Sequence, residues 1–346
     1  MSDALNTPDA NSAGPSSLPA VRHAVAHPNI ALVKYWGKAD PAANVPAVPS
    51  ISITLDALST RTRVQFDPEL DCDRVSLDDV PLPQDAAEAV RISQCLDQLR
   101  RIAGRNLRAR VDSVNDFPTG AGLASSASGF AALVVAAAAA LELDMTPAAA
   151  SRIARAASAS AARSLFGGFA ELPAGRIGED VAAAAVADRE HWPLEVAVAI
   201  CSEGPKPTGS TRGMLDSART SPFYAAWVAS AAADADVLRE AIRTRDFTTL
   251  ASQSEASCMK MHAVMLSTRP ALIYWNAATL STLARIRELQ AEGLPVFFTI
   301  DAGPQVKAVC APGFGRRLAA ELEQVAGVTR IIYSGLGAPA RLVGAP

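Results

Sequence analysis

Residues Phe117 to Gly129 constrain this chain more than any other stretch. Between them lie Pro118, Thr119, Gly120, Ala121, Gly122, Leu123, Ala124, Ser125, Ser126, Ala127 and Ser128, and the run passes directly into an alanine-rich segment that reads as a helix from about Phe130. Small residues let backbone N–H groups converge at a helix start. There the positive end of the dipole favours an anion, and hydroxyls add hydrogen bonds or a metal contact. In physical terms this is a phosphate cradle. It is not a Walker A loop, since no Gly-Lys-Ser/Thr follows, and it lacks the Gly-x-Gly-x-x-Gly dinucleotide fingerprint. Taken alone, a flexible linker or a close-packed helix start explains the segment about equally well.

The rest of the composition says where such a site could work. The 346 residues, 49% of them hydrophobic, can bury one large core or two modest ones. Lys and Arg number 32 against 35 Asp and Glu, a formal charge of -3, so nothing electrostatic points to nucleic acid or an anionic membrane and any anion site must be local. Cys72, Cys95, Cys201, Cys258 and Cys310 are scattered, with neither zinc-type spacing nor a disulfide framework, and a reducing cytoplasm is the expected setting. Met1 to Ala20 lacks a basic region ahead of an apolar core and is expected to be a disordered tail rather than a secretory signal. The apolar run Phe130 to Leu141 is shorter than the ~20 residues a membrane span needs.

Strand and helix signals alternate along the chain, without an internal repeat or heptads, which predicts a mixed α/β enzyme with antiparallel sheets and helices on one face. Arg61 to Phe66 alternates like a half-exposed strand, whereas Leu194 to Ile200, Val296 to Ile300 and Arg330 to Tyr333 read as more buried strands. Thr146 followed by Pro147 predicts an N-cap and first-turn proline. A second helix is expected over Ala277 to Glu292, with Leu280, Leu283, Ile286 and Leu289 on one face and Gly293 and Pro295 as its stop. Pro68 to Gln84 reads as a loop or hairpin. A boundary is expected near His191 to Pro193, giving units of 21–192 and 193–346 after the tail.

A second segment strengthens the first. His27 to Lys38 places Lys34 and Lys38 four apart beside Tyr35 and Trp36, and lysines are natural point charges for phosphate or carboxylate. Alone it reads as a strand with solvated lysines; beside the glycine-serine loop the phosphate reading gains.

With Ser158 to Phe169 and Thr299 to Gln305, these segments resemble the diphosphomevalonate decarboxylases of the GHMP kinase superfamily. The Lys-Tyr-Trp-Gly-Lys, Phe-Pro-Thr-x-Ala-Gly-Leu-Ala-Ser-Ser-Ala, Arg-Ser-x-x-Gly-Gly-Phe and Asp-Ala-Gly-Pro elements occur in family order, and nearly the whole chain from about Val21 takes part. The resemblance implies an α+β, GHMP kinase-like two-layer sandwich, with a ribosomal S5-like N-terminal half, a ferredoxin-like C-terminal half and an active-site cleft between them. It also implies ATP and Mg2+ as cofactors, a homodimer, and ATP-dependent decarboxylation of diphosphomevalonate through its 3-hydroxyl.

By the same resemblance, Asp301 matches the catalytic aspartate, acting as base or orienting group at the C3 hydroxyl. Lys34 and Arg163 match the cations that keep it ionised and hold substrate. Tyr35, Lys38, Ser158, Ser160, Arg163 and Ser210 would grip the substrate diphosphate, with Lys206 and Arg212 as flanking candidates. Pro118, Gly120, Gly122, Leu123, Ala124, Ser125 and Ser126 would cradle ATP, with Ser126 at the metal and Asn29 helping to order it. His262, beside Met261, reads as packed rather than catalytic. The chain departs from the family at Ala157 and Ala159, where glycines are usual, and at Asp116 and Gln305, where asparagines are. An alanine forced to positive φ would cost of the order of 1 kcal/mol. Rival expectations are a monophosphate decarboxylase, a 3-kinase, and a non-catalytic ligand sensor on the same fold.

Overall fold

A computed structural model describes residues 20–117, 125–202, 204 and 208–345. The predicted tail, and the candidates Pro118, Gly120, Gly122, Leu123, Ala124 and Lys206, therefore lie outside the described residues, apart from Ala20. The first half runs Arg22–Ala26 (β1), Asn29–Val33 (β2), Lys38–Asp40 (β3), Val45–Pro46 (β4), Ser50–Thr54 (β5), Thr60–Asp67 (β6), Arg74–Leu77 (β7) and Val80–Pro81 (β8). It continues through Ala87–Ala103 (α1), Arg108–Asn115 (β9), Ser125–Ala140 (α2), Pro147–Ala157 (α3), Ala161–Ser164 (α4), Phe169–Leu172 (β10) and Ala184–Ala187 (β11). The second half runs Glu195–Ile200 (β12), Ser210–Thr220 (α5), Tyr224–Thr244 (α6), Phe247–Leu266 (α7), Ala277–Ala291 (α8) and Val296–Ile300 (β13). Val306–Cys310 (β14), Gly315–Glu323 (α9), Arg330–Ser334 (β15) and Arg341–Val343 (β16) complete it.

Among the described residues, three larger sheets organise these elements, in the orders β16-β1-β6-β9-β7-β8, β11-β10-β5-β2 and β13-β14-β12-β15, and β3 pairs with β4 in a two-stranded one. The first follows from strict alternation in β6: Thr60, Thr62, Val64 and Phe66 are buried, while Arg61, Arg63 and Gln65 turn away from the core. Against it packs α2, whose alanines are buried on nearly every side and let the helix sit close to β1, β6, α3 and α4. This helix starts at Ser125, five residues before the start expected from sequence, because the serines of the loop already carry helical backbone. The Pro68 to Gln84 stretch does contain a hairpin: Asp78 and Asp79, at φ 50 and 63, turn β7 into β8. Its strand β7 also joins β9 in parallel, which local sequence did not signal.

The second and third sheets share a core in which Ile30, Leu32, Ile51 and Ile53 meet Val196, Val198, Phe297 and Val309. The other face of the third sheet is covered by α8 and α9 through Phe298, Ile300, Ala308, Ile286, Leu289, Leu318 and Leu322. Thr146 caps α3 as expected, its Oγ1 accepting from the Ala149 amide at 3.2 Å ahead of Pro147. α8 occurs with its stop at Gly293 (φ 87), and Leu283, Ile286 and Leu289 of the predicted stripe face the core, but Leu280 does not. Leu280 is 56% exposed, and Thr279 and Thr282 turn inward beside Ile286 and Leu289. The reason is a hydrogen bond: Thr279 Oγ1 donates to the Pro304 carbonyl at 2.7 Å, tying α8 to the Asp301 turn. The last strand, β16, pairs with β1 and so returns the C-terminal residues to the first sheet. Among the described residues no helix is long and apolar enough to cross a membrane.

Candidate active site

Two chain segments far apart in sequence meet where β2 ends and β13 turns. β2 is buried throughout, and its end delivers Lys34 with 1% side-chain exposure. The Lys34 amide donates to Ser257 Oγ on α7 at 3.0 Å, which fixes the backbone from which the side chain departs. On the other side, Thr299 Oγ1 donates to the Ala31 carbonyl at 3.0 Å and locks β13 onto β2. The Asp301-Ala-Gly-Pro turn then reverses the chain into β14, with the Gly303 amide donating to the Asp301 carbonyl at 2.7 Å. The outcome is an ion pair, Lys34 Nζ to Asp301 Oδ1, at 2.6 Å. A second cation, Lys307 Nζ, lies 3.2 Å from Oδ2.

Burial acts to raise the pKa of Asp301, but the charges of Lys34 and Lys307 outweigh it and hold the carboxyl well below its usual range. Its side chain is nonetheless 29% exposed, unlike either lysine at 1%. The group is thus an open carboxylate on an enclosed cationic seat.

Arg163, on α4, is buried within electrostatic reach of Asp301 and Tyr35. Its guanidinium donates through Nε to Ser52 Oγ at 2.9 Å and through Nη1 to Ser50 Oγ, both on β5. Nε and Nη2 also reach Asn29 Oδ1 at 3.3 and 3.2 Å. Burial lowers its pKa to about 10, so it stays charged at neutral pH. Asn29 donates in turn to the Ser160 carbonyl at 2.9 Å and to Ser164 Oγ at 2.7 Å, so its side chain supports the arginine and the serine loop.

Around this frame the other candidates gather unevenly. Ser158 and Ser160 have their hydroxyls 3.2 Å apart. Tyr35 has a buried hydroxyl with no hydrogen-bond partner among the described residues; burial raises its pKa, partly offset by Arg163. Such an orphaned hydroxyl is costly unless a ligand atom meets it. Lys38 Nζ donates to Asn44 Oδ1 at 2.5 Å and to Thr211 Oγ1 at 3.3 Å, next to Ser210 at the start of α5. Burial and then the charge of Arg91 lower the Lys38 pKa. Arg212 is 72% exposed and paired with Asp216 at 2.6 Å on its own helix. Ser125 and Ser126 open α2, with Ser126 exposed. His262 is packed as expected, 3% exposed, with Nε2 3.2 Å from the Ile300 carbonyl.

The family is legible at the level of the whole chain. A diphosphomevalonate decarboxylase-like N-terminal domain matches residues 26–183, and a mevalonate 5-diphosphate decarboxylase C-terminal domain matches residues 196–331. Diphosphomevalonate decarboxylase of Candida albicans is 33% identical over 89% of this chain and 94% of its own length. The chain belongs to the diphosphomevalonate decarboxylase family. The human family member is 36% identical over 80% of this chain and 73% of its own. This chain's GHMP kinase-like fold is that of solved family structures. A complex with MVAPP, AMPPCP and magnesium superposes at a TM-score of 0.86, 35% identity, covering 94% of this chain and 99% of that one. The Staphylococcus aureus mevalonate diphosphate decarboxylase superposes at 0.88, 33% identity, covering 94% and 98%.

Against that family background, the departures have structural explanations. Neither Ala157 nor Ala159 has positive φ, so the strain anticipated for alanine there is absent. Asp116 accepts from the amide and hydroxyl of Ser59, both at 2.7 Å. Gln305 is fully buried, accepting from the Cys201 amide at 2.6 Å and donating to the Ser202 carbonyl at 2.5 Å, a span its longer side chain covers. Sequence reading missed Lys307, although a lone lysine in the apolar strand Val-Lys-Ala-Val-Cys was a usable signal, because a lysine is rarely buried without a partner.

Proposed function

We propose that this chain catalyses the ATP-dependent decarboxylation of (R)-5-diphosphomevalonate to isopentenyl diphosphate, ADP, phosphate and carbon dioxide. The observation that carries the reading is the Asp301 carboxylate, partly open and held ionised by Lys34 and Lys307 with Arg163 in reach. Decarboxylating a β-hydroxy acid needs a sink for the departing electron pair. Transferring the ATP γ-phosphoryl to the 3-hydroxyl converts that hydroxyl into a leaving group. Phosphate then departs with its bonding pair, and the electrons of the bond to the carboxylate carbon form the alkene as carbon dioxide leaves.

A carboxylate with so low a pKa is a feeble base toward a free alcohol. Asp301 orients the 3-hydroxyl and accepts its proton as the forming P–O bond makes that proton acidic. Lys34 neutralises charge on the transferring group, and the protein otherwise works by positioning. Arg163, Tyr35, Lys38, Ser158, Ser160 and Ser210 would hold the diphosphate through charge-assisted hydrogen bonds. Asn29 would act chiefly by seating Arg163.

Mg2+, when bound with ATP, would neutralise phosphate oxygens. Among the described residues no trio of His, Cys, Asp or Glu could hold a metal, and a lone serine hydroxyl such as Ser126 suits a cation whose other ligands are phosphates and water. The same proposal puts the boundary between the two units at 192/193, supported by domain matches that end and begin on either side, and takes the enzyme to be a homodimer.

The test is incubation with Mg-ATP and, separately, mevalonate, its 5-phosphate and its 5-diphosphate, following ADP and carbon dioxide together. Equal release of both from the diphosphate alone is expected. ADP without carbon dioxide would make the enzyme a 3-kinase, preference for the monophosphate would move the substrate, and neither product would leave a ligand sensor.

A further inference from the structure

Asp301 is held at both oxygens, and the two lysines that hold it sit in different surroundings. Lys34 directly follows β2, one residue before Tyr35 and four before Lys38, the two groups of this segment proposed to hold the diphosphate. Lys307 is in mid-strand. β14 lies between β12 and β13, and Lys307 is opposite Val198 on one side and Thr299 on the other. Pleating turns Val306, Ala308 and Cys310 toward the core beneath α8 and α9, so Lys307 shares with Val309 the opposite face, toward the second sheet. An ammonium in such a place is strongly disfavoured without a counter-charge, and burial lowers its pKa against the pull of Asp301.

We propose that Lys307 is a positioning residue for the reaction, anchoring Asp301 Oδ2 so that the carboxylate keeps its place and its charge when Lys34 is drawn to the transferring phosphoryl group. The inference rests on the decarboxylase reading of the site. Charge counting supports it. Among the described residues, the groups facing Asp301 are Lys34 just after β2, Lys307 from β14, Arg163 from α4, and His262 and Cys258 from α7. Burial keeps His262 neutral near pH 7 and raises the Cys258 thiol, so neither replaces a cation. Arg163 is committed to Asn29, Ser50 and Ser52. Once Lys34 turns to phosphate, Lys307 is the direct ion-pair partner that remains among the described residues. At 1% exposure it acts through Asp301, which is 29% exposed, and not by touching substrate.

The experiment compares wild type, Lys307→Met and Lys307→Arg for kcat, both KM values and the pH profile with diphosphomevalonate. Lys307→Met should lower kcat by about 10²-fold, the scale of a misplaced reacting group, with little change in KM. The acid limb of kcat should move to higher pH, and Lys307→Arg should recover part of the loss. A folded Lys307→Met with unchanged kcat and acid limb, or with only KM raised, would overturn the proposal. Melting temperatures supply a second arm. Asp301→Asn takes the Asp301 charge away from two buried lysines, so adding Lys307→Met should raise the Tm of Asp301→Asn; independence of the two positions would overturn the proposal even if Lys307→Met alone folds poorly. Wild type that releases neither ADP nor carbon dioxide would instead refute the decarboxylase reading, and the melting cycle would still report on the pair.

Discussion

The side-chain carbonyl of Asn29 accepts from Nε and Nη2 of Arg163 at 3.3 and 3.2 Å, joining β2 to α4 across 134 positions of sequence. Because the arginine is buried, each acceptor it loses is one that water does not replace. Asn29→Ala should cost about 1–3 kcal/mol of stability and raise KM for the phosphorylated substrate more than KM for ATP. Denaturant melts and steady-state kinetics check this, and an unchanged substrate KM would show that Ser50 and Ser52 suffice to aim the guanidinium.

Asp301→Asn keeps the size of the side chain and removes its charge. Turnover should be abolished while ATP still binds, as measured by product release beside nucleotide titration. Near-normal turnover in that variant would remove Asp301 from the mechanism.

Gly37 sits between Trp36 and Lys38 at φ 131, and a Cβ there would run into the Tyr224 hydroxyl. Gly37→Ala should cost about 1–3 kcal/mol through the strained backbone and displace Lys38, raising substrate KM. Adding Tyr224→Ala should relieve the clash but not the backbone strain, so rescue should be partial.

Ala157 closes α3 and Ala159 follows its cap, both without positive φ. Restoring the family glycines by Ala157→Gly or Ala159→Gly should therefore destabilise, by about 0.5–1 kcal/mol for the helical position, instead of relieving strain. A rise in Tm would mean that glycine freedom is needed after all.

Burial lowers the pKa of His262 from 6.5 to about 4, against the hydrogen bond to the Ile300 carbonyl. Between those values the unfolded chain takes up a proton that the folded chain refuses. The stability from neutral His262 is therefore complete above pH 6.5 and declines as pH falls toward 4, with a slope of up to about 1.4 kcal/mol per pH unit. His262→Phe, which can keep the contact with the Trp275 ring at 4.6 Å, should flatten that part of the profile. An identical slope in both proteins would show that other groups govern the acid limb.

What the sequence determined by itself is the chemistry that local residue types can encode. Four short motifs in fixed order carried the family, and the Thr146-Pro147 cap, the alternation of β6 and the stop at Gly293 followed from backbone preferences acting over a few residues. Tertiary structure decided which of those residues meet. Asp301 lies 267 positions from Lys34, and only the docking of β13 on β2 brings them to 2.6 Å. Lys307 became visible as a partner because the Asp301 turn folds β14 back beside β13. The inward face of α8 was set by Thr279 reaching the Pro304 carbonyl, which outweighed the hydrophobic period that would have buried Leu280. Periodicity reports how much apolar surface a helix can bury, whereas a long-range hydrogen bond chooses which face is turned toward the site.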